Sequence, residues 1–265
     1  MSNTTGKLFT FTSFGESHGK GIGGIIDGCP PGIELDEAYI QSELDRRKPG
    51  QSKIATPRKE DDKVEFLSGV FEGKTTGTPI AFIIWNQNQH SKDYDHLKEV
   101  YRPSHADFTY QQKYGIRDHR GGGRSSIRIT AAMVAAGEVA RQLLTYYSPV
   151  QMLTYVKQIG PITMTDVGDS AVTRDAIEKS AVKCPDQEAS DAMLALIEQT
   201  KQEGDTLGGA ISAVIHNLPA GFGEPVFGKL QAQLAHAMMN INSAKAFEYG
   251  EGIRSASLKG SEHND

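Results

Sequence analysis

A short part of the chain concentrates groups that bind anions. Six basic and two acidic residues lie between positions 102 and 128, and three consecutive glycines lie among them. Glycine lets an anion come close to backbone N–H groups, and arginine forms paired hydrogen bonds with phosphate or carboxylate oxygens. We call residues 102–128 the basic glycine segment and predict that it binds an anion. Its basic residues are Arg102, Lys113, Arg117, Arg120, Arg124 and Arg128.

The glycine triplet, residues 121–123, stands directly before a predicted helix. The N–H groups and the dipole at a helix start attract anions, and Ser125 and Ser126 occupy the expected N-cap and can donate hydrogen bonds. No Gly-Lys-Ser/Thr follows the glycines at Walker spacing, and no dinucleotide-binding fingerprint opens a βαβ unit. The alternative is a turn whose charges only face water. The coincidence of glycines, serines and a helix start favours the anion site.

Two histidines are candidate catalytic groups. His18 lies in a glycine-flanked turn between two predicted strands, and His105 lies within the basic glycine segment. Imidazole titrates near neutral pH, so a protonated His105 can assist the departure of phosphate as a general acid. A histidine in a loop is often only structural, and this alternative stays open for both. The adjacency of Ser17 and His18 is not evidence for a nucleophile pair, because neighbours on a strand point apart.

A second basic cluster, Arg46, Arg47, Lys48 and Lys53, lies at the end of a predicted helix and in the loop that follows. The helix dipole favours positive charge at this end, whereas a loop that grips phosphate is the functional alternative. Residues 48–62 are rich in charged residues, proline and serine, and they are predicted to form a mobile surface loop.

The predicted elements place these groups in a mixed fold. Alternating apolar and polar residues predict strands, and the apolar periodicity of longer stretches predicts helices. Strands follow one another in places and alternate with helices elsewhere, which favours an α/β or α+β sandwich over a doubly wound sheet. Residues 86–125 are predicted to form a long loop. The predicted strands are 8–14, 22–26, 64–71, 79–85, 151–158, 210–217 and 247–253, and the predicted helices are 36–47, 126–146, 189–203 and 226–239.

The composition of the 265 residues is that of a globular protein, and the formal net charge is −5. An acidic chain argues against nucleic acid as a partner, so an anion site must be local. The two cysteines, Cys29 and Cys184, lie far apart and suit a reducing compartment. The sequence predicts neither a signal peptide nor a membrane span of about 20 apolar residues. We expect a cytoplasmic protein with no membrane partner.

A series of segments resembles the chorismate synthase family along the whole chain. Examples are Arg-Pro-Ser-His-Ala-Asp at 102–107 and Gly-Gly-Gly-Arg-Ser-Ser at 121–126. Several long segments in one order are more specific than any single short motif. The other matching segments are 14–19, 45–47, 49–50, 112–115, 219–221, 223–227 and 240–242, with Glu248 and Gly250.

The resemblance implies a lyase of the shikimate pathway that converts 5-enolpyruvylshikimate 3-phosphate to chorismate by anti-1,4-elimination of phosphate. It implies reduced FMN (FMNH2) as cofactor, with NADPH only as a reductant of the flavin. It also implies a β-α-β sandwich whose helices pack between sheets, one domain over residues 1–265, and a homotetramer in the complete form.

The resemblance also assigns roles to residues of this chain. It implies that His18 lies near the flavin and that His105 lies near the leaving phosphate. Arg47 and Lys53 correspond to basic positions over the substrate. The implied flavin contacts are Arg124, Ser125, Ser126, Asn242 and Ser243.

The chain departs from the family pattern in two ways. Ile127 and Ile129 stand where the family usually has alanine and glutamate, which removes a charge beside the expected anion site. The family also continues beyond the position of Asp265 with further flavin and phosphate segments and a proposed catalytic base. We therefore expect a fold that is incomplete at its C-terminus, exposed apolar surface, and doubtful catalysis by this chain alone. The alternative function is a non-catalytic anion- or nucleotide-binding fragment.

Overall fold

The computed structural model of the protein describes residues 3–50, 61–87, 97–165, 168 and 172–263. An antiparallel sheet contains the five strands β1 (Thr4–Gly6), β2 (Thr10–Gly15), β3 (Gly21–Asp27), β4 (Val64–Phe66) and β7 (Ile80–Trp85). Their order across the sheet is β1-β2-β3-β7-β4. A small separate hairpin consists of β5 (Val70–Phe71) and β6 (Lys74–Thr75). The described helices are α1 (Glu37–Arg47), α2 (Asp107–Tyr114), α3 (Thr130–Tyr147), α4 (Arg174–Lys179), α5 (Gln187–Gln202) and α6 (Leu230–Met239).

One face of the five-stranded sheet is covered by α1 and α3. Alternate residues of β3 and β7, such as Ile22 and Phe82, point to this face and are fully buried. Phe11 of β2 stacks on Phe82 with ring centroids 6.4 Å apart. The alanines of α3 that enter this core are small, so the helix can lie close to the sheet. Asp36 caps α1 by accepting a hydrogen bond from the N–H of Tyr39 at 2.8 Å, as the sequence predicts.

A second sheet has its own core. It pairs β10 (Gly209–His216), β8 (Gln151–Ile159) and β9 (Ile162–Thr163) in antiparallel order. Tyr155 of β8, Ile177 of α4 and Met193 of α5 are buried together there. The second core therefore forms between this sheet and α4 with α5.

Ion pairs join the two helical layers. Glu43 of α1 accepts hydrogen bonds from Arg46 and from Arg174 of α4, and Arg174 also donates to the Tyr39 hydroxyl at 2.6 Å. Although burial opposes it, the two arginines lower the pKa of Glu43. Arg46 pairs with Glu178 of α4. Helices α1 and α3 thus pack on one antiparallel sheet and α4 and α5 on the other, with α1 and α4 in contact, and the predicted mixed sandwich is confirmed.

Several predicted elements need correction. Residues 247–253 do not form a strand, and a 3₁₀-helix at Gly252–Ser257 lies there instead. Residues 64–71 split into β4 and β5, because Gly69 has a φ of 80° and the backbone turns sharply. The predicted loop 86–125 contains α2, and the helix predicted from 226 begins at Leu230. Within the described ranges, no helix is long and apolar enough to cross a membrane.

Candidate active site

The basic glycine segment and the turn that carries His18 lie against each other. The two segments line an open cavity of about 570 Å³. Its lining residues are Glu16, 105–107, Tyr110, Tyr114 and 116–125. His18 is 5% exposed and lies behind the glycine triplet. A Cβ placed on Gly121 would be 2.0 Å from His18 Nδ1. The absence of a side chain at position 121 is therefore what allows the imidazole to lie there.

Hydrogen bonds from both sides fix the turn of His18. The Arg124 guanidinium donates to the carbonyl oxygen of Gly15 at 3.0 Å, and Asn86 donates to those of Glu16 and Gly19 at 2.9 Å. The Ser17 hydroxyl lies 3.0 Å from His18 Nδ1. The strand geometry assumed for these two neighbours does not apply, because they lie in a turn, where successive side chains can converge.

Asp107 organises the second histidine. Its carboxylate accepts from Arg102 Nε at 2.8 Å and Nη2 at 2.9 Å, and it lies 2.9 Å from His105 Nδ1. The side chain is only 6% exposed, and Arg117 approaches it at 3.6 Å. Hydrogen bonds from Arg102 hold the pKa of Asp107 far below its usual range. The carboxylate stays ionised and fixes the orientation of the His105 ring.

Arg102 also connects the two histidines. Its Nη2 donates to the carbonyl oxygen of Gly121 at 3.0 Å, on the residue whose Cα faces His18. His18 therefore packs against Gly121, and His105 is linked to the carbonyl of the same glycine through Arg102. The sequence placed them in separate segments, and the structure brings them together.

Most arginines of the basic glycine segment bind protein oxygens. Arg117 Nη2 donates to three carbonyl oxygens of residues 97, 98 and 100 at 2.6 to 3.0 Å, and its guanidinium lies over the Tyr101 ring. Arg120 forms a paired hydrogen bond with Asp118 at 2.8 and 2.7 Å. Arg124 donates to Ser13, Gly15 and Asn3. These arginines build the loop, and their positive charge is partly neutralised within it.

Ser126 and Asn242 join two segments that the sequence predicts separately. The Ser126 hydroxyl caps the short 3₁₀-helix Ile127–Ile129 that leads into α3 by accepting from the Arg128 N–H at 3.2 Å. The Asn242 amide donates to the carbonyl oxygen of Ser125 at 2.7 Å. Ser243 follows with a φ of 71°. The structure therefore brings Ser125, Ser126 and Asn242 to one place.

Arg47 reaches the start of α3 from the end of α1. It donates to the carbonyl oxygen of Ile127 at 2.9 Å and to the Thr130 hydroxyl at 3.1 Å, and it pairs with Asp62 at 3.2 Å. Lys53 lies outside the described residues. Ile127 is 56% exposed, whereas Ile129 is 3% exposed within the first core, so its side chain does not face the cavity.

Asp107 and Asp62 are functional candidates that the sequence did not single out. Asp107 counted only as a counter-charge, although an acidic residue two positions after a histidine in a basic segment is a usable signal. Asp62 was assigned to a mobile surface loop, but its side chain is completely buried. Among the described residues, no group of His, Cys, Asp or Glu is arranged to hold a metal ion.

Comparison with known proteins decides the family. The family model described as Chorismate synthase matches residues 9–265. The chain belongs to the chorismate synthase family. Chorismate synthase is a lyase of the shikimate pathway, and this agrees with a site that combines histidines with anion-binding groups.

Individual chorismate synthases are similar over nearly the whole chain. The Parabacteroides distasonis enzyme is 60% identical over 266 residues, which cover 99% of this chain and 73% of that protein. The Bacteroides thetaiotaomicron enzyme is 58% identical over 265 residues, which cover 100% and 74%. A crystal structure of chorismate synthase superposes with a TM-score of 0.80 at 30% identity and covers 98% of this chain and 74% of that one.

The bond from Asn242 to Ser125 permits a direct prediction. Replacing Asn242 with alanine is expected to lower the free energy of unfolding by about 1 kcal/mol, because the carbonyl of Ser125 loses its donor. Hydrogen exchange at residues 124–126 should also accelerate. Asn240→Ala is the matched control, since that amide donates only to the nearby carbonyl of His236. Equal exchange at 124–126 in both variants would contradict the prediction.

Proposed function

We propose that the protein converts 5-enolpyruvylshikimate 3-phosphate to chorismate, with loss of phosphate and a ring hydrogen and with reduced FMN as cofactor. The observation that carries this proposal is the position of Gly121 beside the cavity: His18 packs against this glycine, and Arg102 links its carbonyl to His105. Phosphate elimination needs a proton donor or positive charge at the leaving group, and a flavin needs an ordered partner at its ring.

The residues around the cavity fit a flat anionic cofactor. A second cavity of about 850 Å³ shares Glu16, Tyr110, Tyr114 and Arg124 with the first, so the two adjoin. The tyrosine rings, with centroids 5.4 Å apart, offer flat walls, and the glycine triplet admits a phosphate to the backbone. When bound, reduced FMN would supply electron density to the substrate. Arg124 and Ser125, which line the cavity, would hold it together with Ser126, Asn242 and Ser243, which adjoin Ser125.

His105 is the group that we assign to the leaving phosphate. The Asp107 carboxylate lies 2.9 Å from its Nδ1, so the ring is oriented by an adjacent negative charge. The Arg102 guanidinium places a fixed positive charge 3.2 Å from the same nitrogen. Charge that develops on the departing phosphate is thereby met by groups already in place.

His18 is assigned to a proton held beside the flavin. Its burial excludes bulk water, and the Ser17 hydroxyl and Gly121 limit its rotation. Arg47, with Lys53, is assigned to the substrate's phosphate or carboxylate. We also propose a cytoplasmic homotetramer, and the apolar side chains Phe14, Ile25 and Trp85, exposed on the outer face of the first sheet, support assembly.

The histidine assignments are tested by anaerobic turnover with chemically reduced FMN and substrate. Chorismate formation by the unmodified protein supports the proposal, and His18→Ala and His105→Ala should each lower its kcat by about 10²- to 10⁴-fold, because each removes a group that handles a proton or charge. His236→Ala, an exposed histidine of α6, is the control that should retain full activity.

Other outcomes would redirect the proposal. Normal turnover by either site variant would remove that histidine from the mechanism. Binding of reduced FMN or substrate by a protein that never forms chorismate would favour the non-catalytic anion-binding function.

A further inference from the structure

Asp62 carries a fully buried carboxylate that faces two arginines. Its side chain is 0% exposed, and its two oxygens have different partners. Oδ2 lies 3.2 Å from Arg47 Nη1, and Oδ1 accepts a hydrogen bond from Arg128 Nη1. A buried carboxylate is costly unless it is paired, so this geometry fixes all three side chains relative to one another.

The Arg128 branch leads to the turn of His18. Arg128 Nε donates to Asn86 Oδ1 at 3.0 Å, and the Asn86 amide nitrogen donates to the carbonyl oxygens of Glu16 and Gly19. These two carbonyls flank His18 in sequence. Because the amide oxygen faces a donor and its nitrogen faces two acceptors, only one orientation of Asn86 satisfies every partner.

The Arg47 branch leads to the start of α3. The same guanidinium that pairs with Asp62 donates to Thr130 and to the carbonyl of Ile127. Ile127 follows Ser126, the last residue of the glycine-and-serine run. One carboxylate thus lies between an arginine assigned to the substrate and the chain of bonds that ends at His18.

We propose that Asp62 is a positioning residue for the reaction: it sets the orientation of Arg47 and, through Arg128 and Asn86, of the His18 turn. The inference rests on the proposed function, because Arg47 and His18 matter only if that reaction occurs here. Asp62 itself touches neither substrate nor cofactor in this role.

The first test compares Asp62→Asn, Asn86→Ala and the double variant. Each single change is expected to lower kcat/KM by about 10- to 100-fold, since small displacements of catalytic groups cost this much. Asp62→Asn should both raise KM and lower kcat, whereas Asn86→Ala should act mainly on kcat. The double variant should lose little more kcat than Asn86→Ala alone, because both changes break one path. If the fold-loss of kcat in the double variant equalled the product of the losses in the two single variants, the proposal would be overturned.

Glu178→Gln is the matched control. Glu178 also accepts from two cations, Arg46 and Lys183, but it joins α4 to α1 away from the cavity. It should leave kcat and KM unchanged. If Asp62→Asn does not fold, Arg128→Lys takes its place, because lysine keeps the charge but cannot bridge Asp62 and Asn86 with a planar fork.

A second measurement separates failure of this inference from failure of the proposed function. The imidazole NMR resonance of His18, assigned by its loss in His18→Ala, should shift in Asp62→Asn and in Asn86→Ala but not in Glu178→Gln. This readout needs no turnover. If the unmodified protein forms no chorismate, the proposed function fails. The resonance then still shows whether Asp62 affects the orientation of the His18 turn. An unchanged resonance in folded Asp62→Asn would overturn the inference.

Discussion

Replacing Gly121 with alanine is expected to lower turnover by more than about 100-fold, because it displaces a catalytic group. The new methyl group would lie 2.0 Å from His18 Nδ1 and 2.3 Å from Cε1, so the imidazole or the glycine triplet must move. The residue also has a φ of 84°, a conformation that alanine adopts only with strain. Movement of the triplet would further displace Arg102, which is bound to the carbonyl of Gly121.

Gly73→Ala separates backbone strain from the clash with His18. Gly73 has a φ of 73°, and nothing lies within 4 Å of a Cβ built there. Both variants should lose about 1–2 kcal/mol of stability through strain. Gly121→Ala alone should also lose activity and shift the His18 resonance. Steady-state kinetics and urea unfolding measure the two effects, and equal activity of the two variants would show that Gly121 does not set the position of His18.

Replacing Asp107 with asparagine is expected to reduce the free energy of unfolding by about 3–5 kcal/mol, the usual cost of removing one partner of a buried ion pair. The carboxylate accepts hydrogen bonds from Nε and Nη2 of Arg102 and lies next to His105 and Arg117. Its loss therefore leaves several donors poorly paired. Turnover should fall as well, because the His105 ring loses the partner that orients it. Chemical unfolding and anaerobic kinetics measure the two losses.

Asp118→Asn provides the comparison. Asp118 also pairs with an arginine, Arg120, but that guanidinium is half exposed. Ion pairs at the surface contribute about 0–1 kcal/mol, so the free energy of unfolding of this variant should be close to that of the unmodified protein. If Asp118→Asn were as destabilised as Asp107→Asn, burial would not explain the effect at Asp107.

The lowered pKa of Asp107 gives a pH dependence with a definite sign. In the unfolded chain an aspartate titrates near about 3.9, and in the folded protein it stays ionised well below that value. Its contribution to stability is therefore fully present above about pH 4 and is lost as the pH falls toward the folded pKa. The difference in unfolding free energy between Asp107→Asn and the unmodified protein should narrow below about pH 4. A difference that stays constant through this range would contradict the assignment.

Local patterns in the sequence predicted the elements that depend on local chemistry. The Asp36 cap and the continuous apolar run of 79–85 were enough to predict α1 and β7, because such signals act within a few residues. The strand predicted at 247–253 was wrong, since its apolar residues have no neighbouring strand to pair with in the described structure. Helix α2 was missed within a polar stretch whose periodicity is weak.

The sequence predicted which residue types form the site, but it did not predict which residues bind one another. Glycines, serines and histidines were located from their types, yet the partners of the arginines depend on tertiary contacts. Arg124 binds residues more than a hundred positions earlier, and Asp62 meets Arg128 across 66 positions. The charged stretch around Asp62 is predicted to lie at the surface, because no local feature of the sequence indicates that distant arginines will enclose it. Residue type therefore predicts candidates, while the fold assigns their partners.

The charged seam between α1 and α4 has a consequence for how the two cores communicate. Apolar side chains pack together within each core. Between the two cores, ion pairs join α1 to α4 through Glu43, Arg46, Arg174 and Glu178. Dissolved ions screen partly exposed charges such as those of Arg46 and Arg174, and they act less on the apolar contacts within each core. Ionic strength therefore acts on the coupling of the halves while leaving each half intact. His18 and His105 are carried by strands and loops on the side of the first core, so the second can loosen without disturbing them.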